Sequence, residues 1–304
     1  MQLKRLAQRR LRRASLAWTA ALGAMFPMAF GMVACGGAAD AGGGDWPAAA
    51  GAPEASARPL RRLVNPGFTV GYDTRRGRAA WVAYRVTPVG RYTHRSRPDF
   101  IADPRLDAAP EIRLYGAGRY DRGHLAPNYA IGQLYGNDAQ RASFYYSNVV
   151  PQRPRLNQLV WQRLEEIETD EIAPATGTLW VLVGPVPAAS ESAAPAGFYR
   201  IWLARDDDDG AWRVLAFRVP QSVRGDERLD SFRVSVDAIE AETGLDFMPD
   251  LAADRERALE ARPAAAETFG FAAHACQPAR YGERWQGRDG VRLRYDRCSV
   301  PTRD

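Results

Sequence analysis

The chain has 304 residues, 46% of them hydrophobic and 25% charged, which suits one large globular domain or two small ones and excludes a chain too polar to build a core. Its formal charge of +5 is local. Six of the 41 Lys and Arg lie before Cys35, where there is no Asp or Glu, so the remainder carries 35 basic against 36 acidic residues. Global charge therefore gives no argument for a polyanionic partner, and any such argument has to come from local arginines.

In chain order, Lys4, Arg5, Arg9, Arg10, Arg12 and Arg13 precede an uncharged apolar run from Ala14 to Ala34, the pattern of an export signal over residues 1–35. A membrane-spanning anchor is the alternative, but Pro27 and the run of small residues favour a removed signal. The stretch Met32-Val33-Ala34-Cys35-Gly36 is similar to a bacterial lipoprotein cleavage site, which implies lipidation of Cys35 and a membrane anchor, with plain cleavage nearby as the alternative. The expected location is outside the cytoplasm: periplasmic, anchored at the envelope, or secreted. Residues 36–60, rich in Ala, Gly, Pro and Ser, read as a flexible linker.

From Arg61 the texture changes. "FTVGYD" and "AAWVAYRVT" read as paired strands around the turn "TRRGR". "YDRGHLAP" reads as extended, and "DAQRASFYYSNVVPQ" starts helical and ends extended. In "PRLNQLVWQRLEEIETDEIA" a helix places Leu156, Leu159, Val160, Leu164 and Ile167 on one stripe. "GTLWVLVGPV" reads as a buried strand, and "GFYRIWLAR" and "GAWRVLAFRVP" as a hairpin across "DDDDG". A helix in "VSVDAIEAETG" is closed by Gly244. Together these predict an α+β fold, a central antiparallel β-sheet with flanking helices. Beyond it, Cys276 and Cys298 are expected to form a disulfide, because two cysteines and His274 make no zinc quartet.

The chemistry gathers around "DRGHLAPNYA". His124 is one of three histidines; alone it reads as a structural residue, with Gly123 permitting a turn. The segments that follow shift that reading. Asn148 lies in "YYSNVVPQ", and Asn157 opens a helix that also carries Glu165 eight residues on. Asparagine is a poor helix former unless its side chain has other work. Positions 157 and 165 can face one side, where an amide oxygen and a carboxylate suit a hard, hydrated cation such as Mg²⁺. Arg91, Arg95, Arg97, Arg122, Arg153 and Arg155 surround these segments and could meet phosphate, whereas Tyr145, Tyr146 and Trp161 are expected in the core.

The ordered set "DRGH…AP", "SN", "PQ" and "LNQ…W…LE" resembles the DNA/RNA non-specific endonuclease family. "FTVGYD…WVAYRVT", "LWVLVGPV" and "VDAIEAETGLDFMPDL" extend the likeness over about Arg61 to Leu251. The resemblance implies a ββα-metal motif within a domain at residues 61–256, leaving a C-terminal extension at 257–304. It implies a sugar-non-specific endonuclease acting on DNA and RNA with Mg²⁺, or Mn²⁺ in its place. It gives His124 the role of general base, Asn157 that of direct metal ligand and Glu165 that of holding metal-bound water. Asn148 would orient His124 or substrate. Arg122 and Asp121 would shape the substrate site, and either Arg95 or Arg97, with Arg97 preferred, would face the phosphate. Arg200 departs from the family, which usually has lysine there. A second class of function keeps the fold and binds nucleic acid at the surface without cutting it.

Overall fold

Hydrophobic strands with β-branched and aromatic residues at nearly every position need cover on both faces, and this chain supplies it. The computed structural model describes residues 46–304 except 56, 108–114, 116–117, 191–193, 207–209, 289–291, 296–297 and 299–304. The export segment, Cys35 and most of the acidic turn lie outside the described residues. In chain order the strands are β1 (Glu54–Ala55), β2 (Arg61–Asn65), β3 (Phe68–Asp73), β4 (Arg78–Val86), β5 (Asp121–His124), β6 (Val149–Gln152), β7 (Leu179–Val186), β8 (Gly197–Arg205), β9 (Trp212–Pro220), β10 (Arg233–Val234) and β11 (Leu245–Asp246). Helix α1 (Asn128–Ser143) precedes β6. A helical run at 156–176 follows it, made of a π-helical turn (Leu156–Trp161), α2 (Gln162–Ile167), a second π-helical turn (Glu168–Ile172) and α3 (Ala173–Thr176). Helices α4 (Val236–Thr243) and α5 (Ala253–Glu260) come last.

Seven strands form one sheet in the order β10-β9-β8-β7-β4-β3-β2, every pair antiparallel. The alternation of side chains along a strand decides which layer each residue joins. Val82, Tyr84 and Val86 on β4 and Phe198 and Trp202 on β8 face the layer holding α1 and the 156–176 run. Trp81 and Ala83, with Tyr199, Ile201 and Leu203, face the opposite layer holding α4. The same parity points Arg200 toward the first layer. Strands β5 and β6 form a separate two-stranded ribbon, with His124 opposite Val149. Two strands leading into a helix make the expected ββα unit. Helix α4 ends as its sequence predicts, on Gly244 in the left-handed conformation (φ 68°).

Three sequence expectations change. The linker at 36–60 is packed from Trp46 onward: Trp46 and Ala50 are buried, β1 pairs with β11, and Arg58 Nε sits 2.7 Å from Asp73 Oδ2. One indole and a few methyl groups against the sheet suffice to dock a segment whose composition looks featureless. The boundary at 256 falls inside α5, and Phe271 beyond it packs edge-on to Trp202 and Phe217 in the main core. The start of the extension is thus continuous with the domain. Helix α1 begins earlier than expected, at Asn128, with a break at Gly136. Cys276 and Cys298 are disulfide-bonded.

Candidate active site

The ribbon fixes His124 through backbone pairing, and Gly123 makes that pairing tight. A Cβ at Gly123 would fall 2.1 Å from Oε1 of the buried Gln152, so any other residue there would displace that side chain. The glycine therefore serves a close approach and not a turn. After His124 the chain is clamped by Asn148. The Asn148 carbonyl accepts from Leu125 N at 3.0 Å, and its side-chain Oδ1 accepts from Ala126 N at 2.9 Å. Its Nδ2 donates to the carbonyls of Ala126 (3.0 Å) and Ser143 (2.8 Å). Asn148 is fully buried, so of the two roles the resemblance implied, orienting His124 or substrate, it takes the first, by holding the strand end that carries His124.

The His124 ring stands edge-on to Phe144 (4.6 Å between centroids) and tilted against Phe100 (5.2 Å). Its Nε2 is enclosed with no hydrogen-bond partner among the described residues, whereas Nδ1 is not so enclosed, and the residue lines the cavity. Burial, then the nearby Arg97 charge, lowers its pKa to about 3, so the imidazole is neutral at physiological pH. Arg97 and Arg122 rest on the same rings: Arg97 lies 5.2 Å from the Phe144 centroid and 5.7 Å from that of Phe100, and Arg122 lies 5.4 Å from Phe100. Burial lowers the Arg97 pKa, with Asp121 opposing.

The helical run supplies the facing wall. Asp121 Oδ2 accepts from Asn157 Nδ2 at 2.9 Å and from Gln158 Nε2 at 2.7 Å. A carboxylate only accepts, so the Asn157 amide must turn its nitrogen to Asp121 and its oxygen away. Asp121 is therefore an orienting group for Asn157; its charge repels phosphate, which corrects its assignment to substrate binding. Asn157 lies in the first π-helical turn, an irregularity that widens the helix where a functional side chain must project.

Behind Asn157, the half-buried Glu165 carboxyl is pushed up to about 8 by burial while Arg200 pulls it back. Arg200, wholly buried, reaches Glu165 Oε1 at 3.4 Å, pairs with Glu168, bonds the Tyr84 hydroxyl at 2.9 Å and lies 4.4 Å from the Trp161 ring centroid. Glu168 also accepts from Tyr84 (2.8 Å) and Trp202 Nε1 (2.8 Å). Sequence reasoning missed Glu168; the signal was Arg200 itself, a charge inside an apolar strand that needs a buried partner. Trp161 is buried among core side chains, as expected.

His124, Arg97, Arg122, Asn157 and Glu165 line one cavity of about 870 Å³. A neighbouring hollow of about 420 Å³ shares Arg97, Arg122, Asn157 and Gln158 with it and adds Asp121. Arg95 joins neither; it bonds Asn137 on α1. Arg91, Arg153 and Arg155 are also absent from both linings. In their place, unforeseen from the sequence, stand Arg280, Arg284 and Arg288 of the C-terminal extension. Among the described residues, the one trio of carboxylates within mutual reach, Asp237, Glu240 and Glu260, lies on α4 and α5 and not in this cavity. The donors here are an oriented amide oxygen and one carboxylate, a set that fits a hydrated hard cation and does not fit a cage of protein ligands.

The description DNA/RNA non-specific endonuclease belongs to the family model that matches residues 51–254. A nuclease from Serratia marcescens is 28% identical over 66% of this chain and 80% of its own length. Endonuclease G from Bos taurus is 28% identical over 61% of this chain and 68% of its own. A crystal structure of an EndoG/EndoGI complex superimposes with a TM-score of 0.58 over 65% of this chain and 90% of that one, at 20% identity, and shows a shared fold. With two thirds of its length matched in this way, the chain belongs to the DNA/RNA non-specific endonuclease family.

Proposed function

We propose that this chain is a metal-dependent endonuclease that hydrolyses phosphodiester bonds in both DNA and RNA. The observation that carries the reading is the convergence, on one cavity, of a neutral imidazole, two arginines fixed on aromatic rings and an amide oxygen aimed by a carboxylate. His124 takes the proton of the attacking water through Nδ1. Arg97 and Arg122 offset the charge that builds on the phosphate oxygens, and their ring contacts hold them in place before substrate arrives. Asn157, with waters held by Glu165, is the place for Mg²⁺ or Mn²⁺; the chemistry such an ion supplies when bound is Lewis acidity at the phosphate. Asp121 and Asn148 are positioning residues. Arginine and imidazole address phosphate, and none of these groups is arranged to read a base edge, which supports activity without sequence preference.

A plasmid-nicking assay with and without chelator tests this. Cleavage of DNA and RNA in Mg²⁺, abolished by chelator and reduced about 10²–10⁴-fold in His124→Ala, is the expected result. Wild-type chain inert in both Mg²⁺ and Mn²⁺ but still binding DNA would establish the surface-binding alternative. We also propose that residues 1–35 direct export and that Cys35 is the lipidation point, which places the enzyme at the cell envelope or beyond it. The mass of the mature N-terminus decides this, since a free, unmodified residue there removes the anchor.

A further inference from the structure

The family match ends at residue 254, yet the cavity has a wall built from residues 280–288. That wall is a constructed feature. Arg163, wholly buried on α2, donates to the carbonyls of Ala275 (2.9 Å), Gln277 (2.6 Å) and Glu227 (2.8 Å), tying the extension to the helix that carries Asn157 and Glu165. Leu159, from the same helical run, leaves the main core and packs with Ala279, Trp285 and Leu293 in a small cluster of its own. The Cys276–Cys298 disulfide closes the segment. These ties are expensive in ordering entropy and in burial of a cation, and they fix one face of the extension against the cleft.

That face is cationic. Between the two cysteines lie six arginines against three acidic residues. Arg280 is committed internally, to Asp170 and beside Tyr129. Arg284 and Arg288 are exposed and have no carboxylate partner among the described residues. Each is laid on a ring, Arg284 at 4.7 Å from the Tyr281 centroid and Arg288 at 5.7 Å from that of Trp285, which is itself nearly buried. Guanidinium groups set beside aromatic rings, without a carboxylate partner among the described residues and lining a cleft of about 870 Å³, suit successive phosphates of a polyanion.

We propose that the disulfide-closed C-terminal extension is a second substrate-binding wall, in which Arg284 and Arg288 contact backbone phosphates of the nucleic acid away from the one being cut. The inference rests on the nuclease reading for its substrate class, and its test does not require cutting. Binding of a labelled duplex DNA to the chain carrying His124→Ala is measured against NaCl concentration. Adding R284A and R288A lowers the slope of log affinity against log salt by about 2, because each lost phosphate contact removes about one released counterion. R284K with R288K keeps the parental slope, and Arg62→Ala on the far edge strand β2 leaves it unchanged; a merely structural role for the two arginines would not follow charge in this way. An unchanged slope in the double alanine variant overturns the proposal even if the wild-type chain cuts DNA. A reduced slope in a chain that never cuts leaves the wall standing and removes the catalytic reading.

Discussion

At residue 124 the environment does the selecting. Two phenylalanine rings withdraw most of the imidazole from water, and Arg97 adds a positive charge beside it, so protonation is opposed twice. With a folded pKa near 3 against about 6.5 in the unfolded chain, the unfolded state binds the extra proton between those values. This contribution to stability is therefore complete above pH 6.5 and is lost as pH falls toward 3. The chain has only three histidines, so NMR titration of the imidazoles is practicable. The His124 resonances are expected to stay fixed from pH 8 to pH 5, and Arg97→Ala to raise the pKa. A midpoint near 6.5 in the wild-type chain would contradict the buried placement. Asp121 carries a second expectation at this scale. In Asp121→Ala the Asn157 amide loses its anchor, and the metal concentration needed for half-maximal cleavage rises about 10–100-fold, as for other groups that orient a metal ligand. The sequence showed His124, Asn157 and Glu165 together, because the ordered motifs that hold them resemble those of a known family. It did not show what Asp121 and Asn148 hold, because a hydrogen bond to a backbone or side chain distant in sequence leaves no local pattern.

The helical run at 156–176 shows where element-level reading succeeds and stops. Its apolar stripe was legible from spacing, and Leu156, Leu159, Val160, Leu164 and Ile167 are all buried. The two π-helical turns were not legible, since one extra residue per turn changes the phase without changing composition. That shift sends Leu159 to the extension and Glu168 into the core. The short strands β1, β10 and β11 and the polar helix α5 were missed for a different reason: two-residue strands have no alternation to detect, and α5 has few apolar positions. Glu168 gives the testable consequence. Glu168→Leu leaves Arg200 buried without its main partner and costs about 3–5 kcal/mol in urea unfolding. Replacing both, with Glu168→Leu and Arg200→Met, recovers most of that loss, since an apolar pair of similar volume avoids the desolvation of two ions. If the double variant is no more stable than Glu168→Leu, the loss comes from the buried Tyr84 and Trp202 donors that Glu168 also satisfies and not from the stranded cation.

On the scale of the whole molecule, one sheet carries two layers, and the cleft is closed on one side by chain that lies beyond the family match. Phe271 belongs to the main core, whereas Trp285 and Leu293 belong to the small cluster on Leu159. The extension therefore has a firmly anchored base and a lightly anchored tip, and the disulfide bridges the two. Closing a loop of this length stabilises by about 3 kcal/mol. Without it, the tip opens before the sheet does, because opening it exposes only the small cluster and the Arg163 bonds. In Cys276→Ser with Cys298→Ser, trypsin is expected to cut at the arginines between 280 and 294 while the sheet domain survives as a resistant fragment. The clipped protein should lose affinity for long duplex at low salt, with His124 and Asn157 still in place. Equal resistance of the two proteins to trypsin would mean that Arg163 and the Leu159 cluster hold the wall without the covalent link, and that the disulfide is dispensable to the architecture of the cleft.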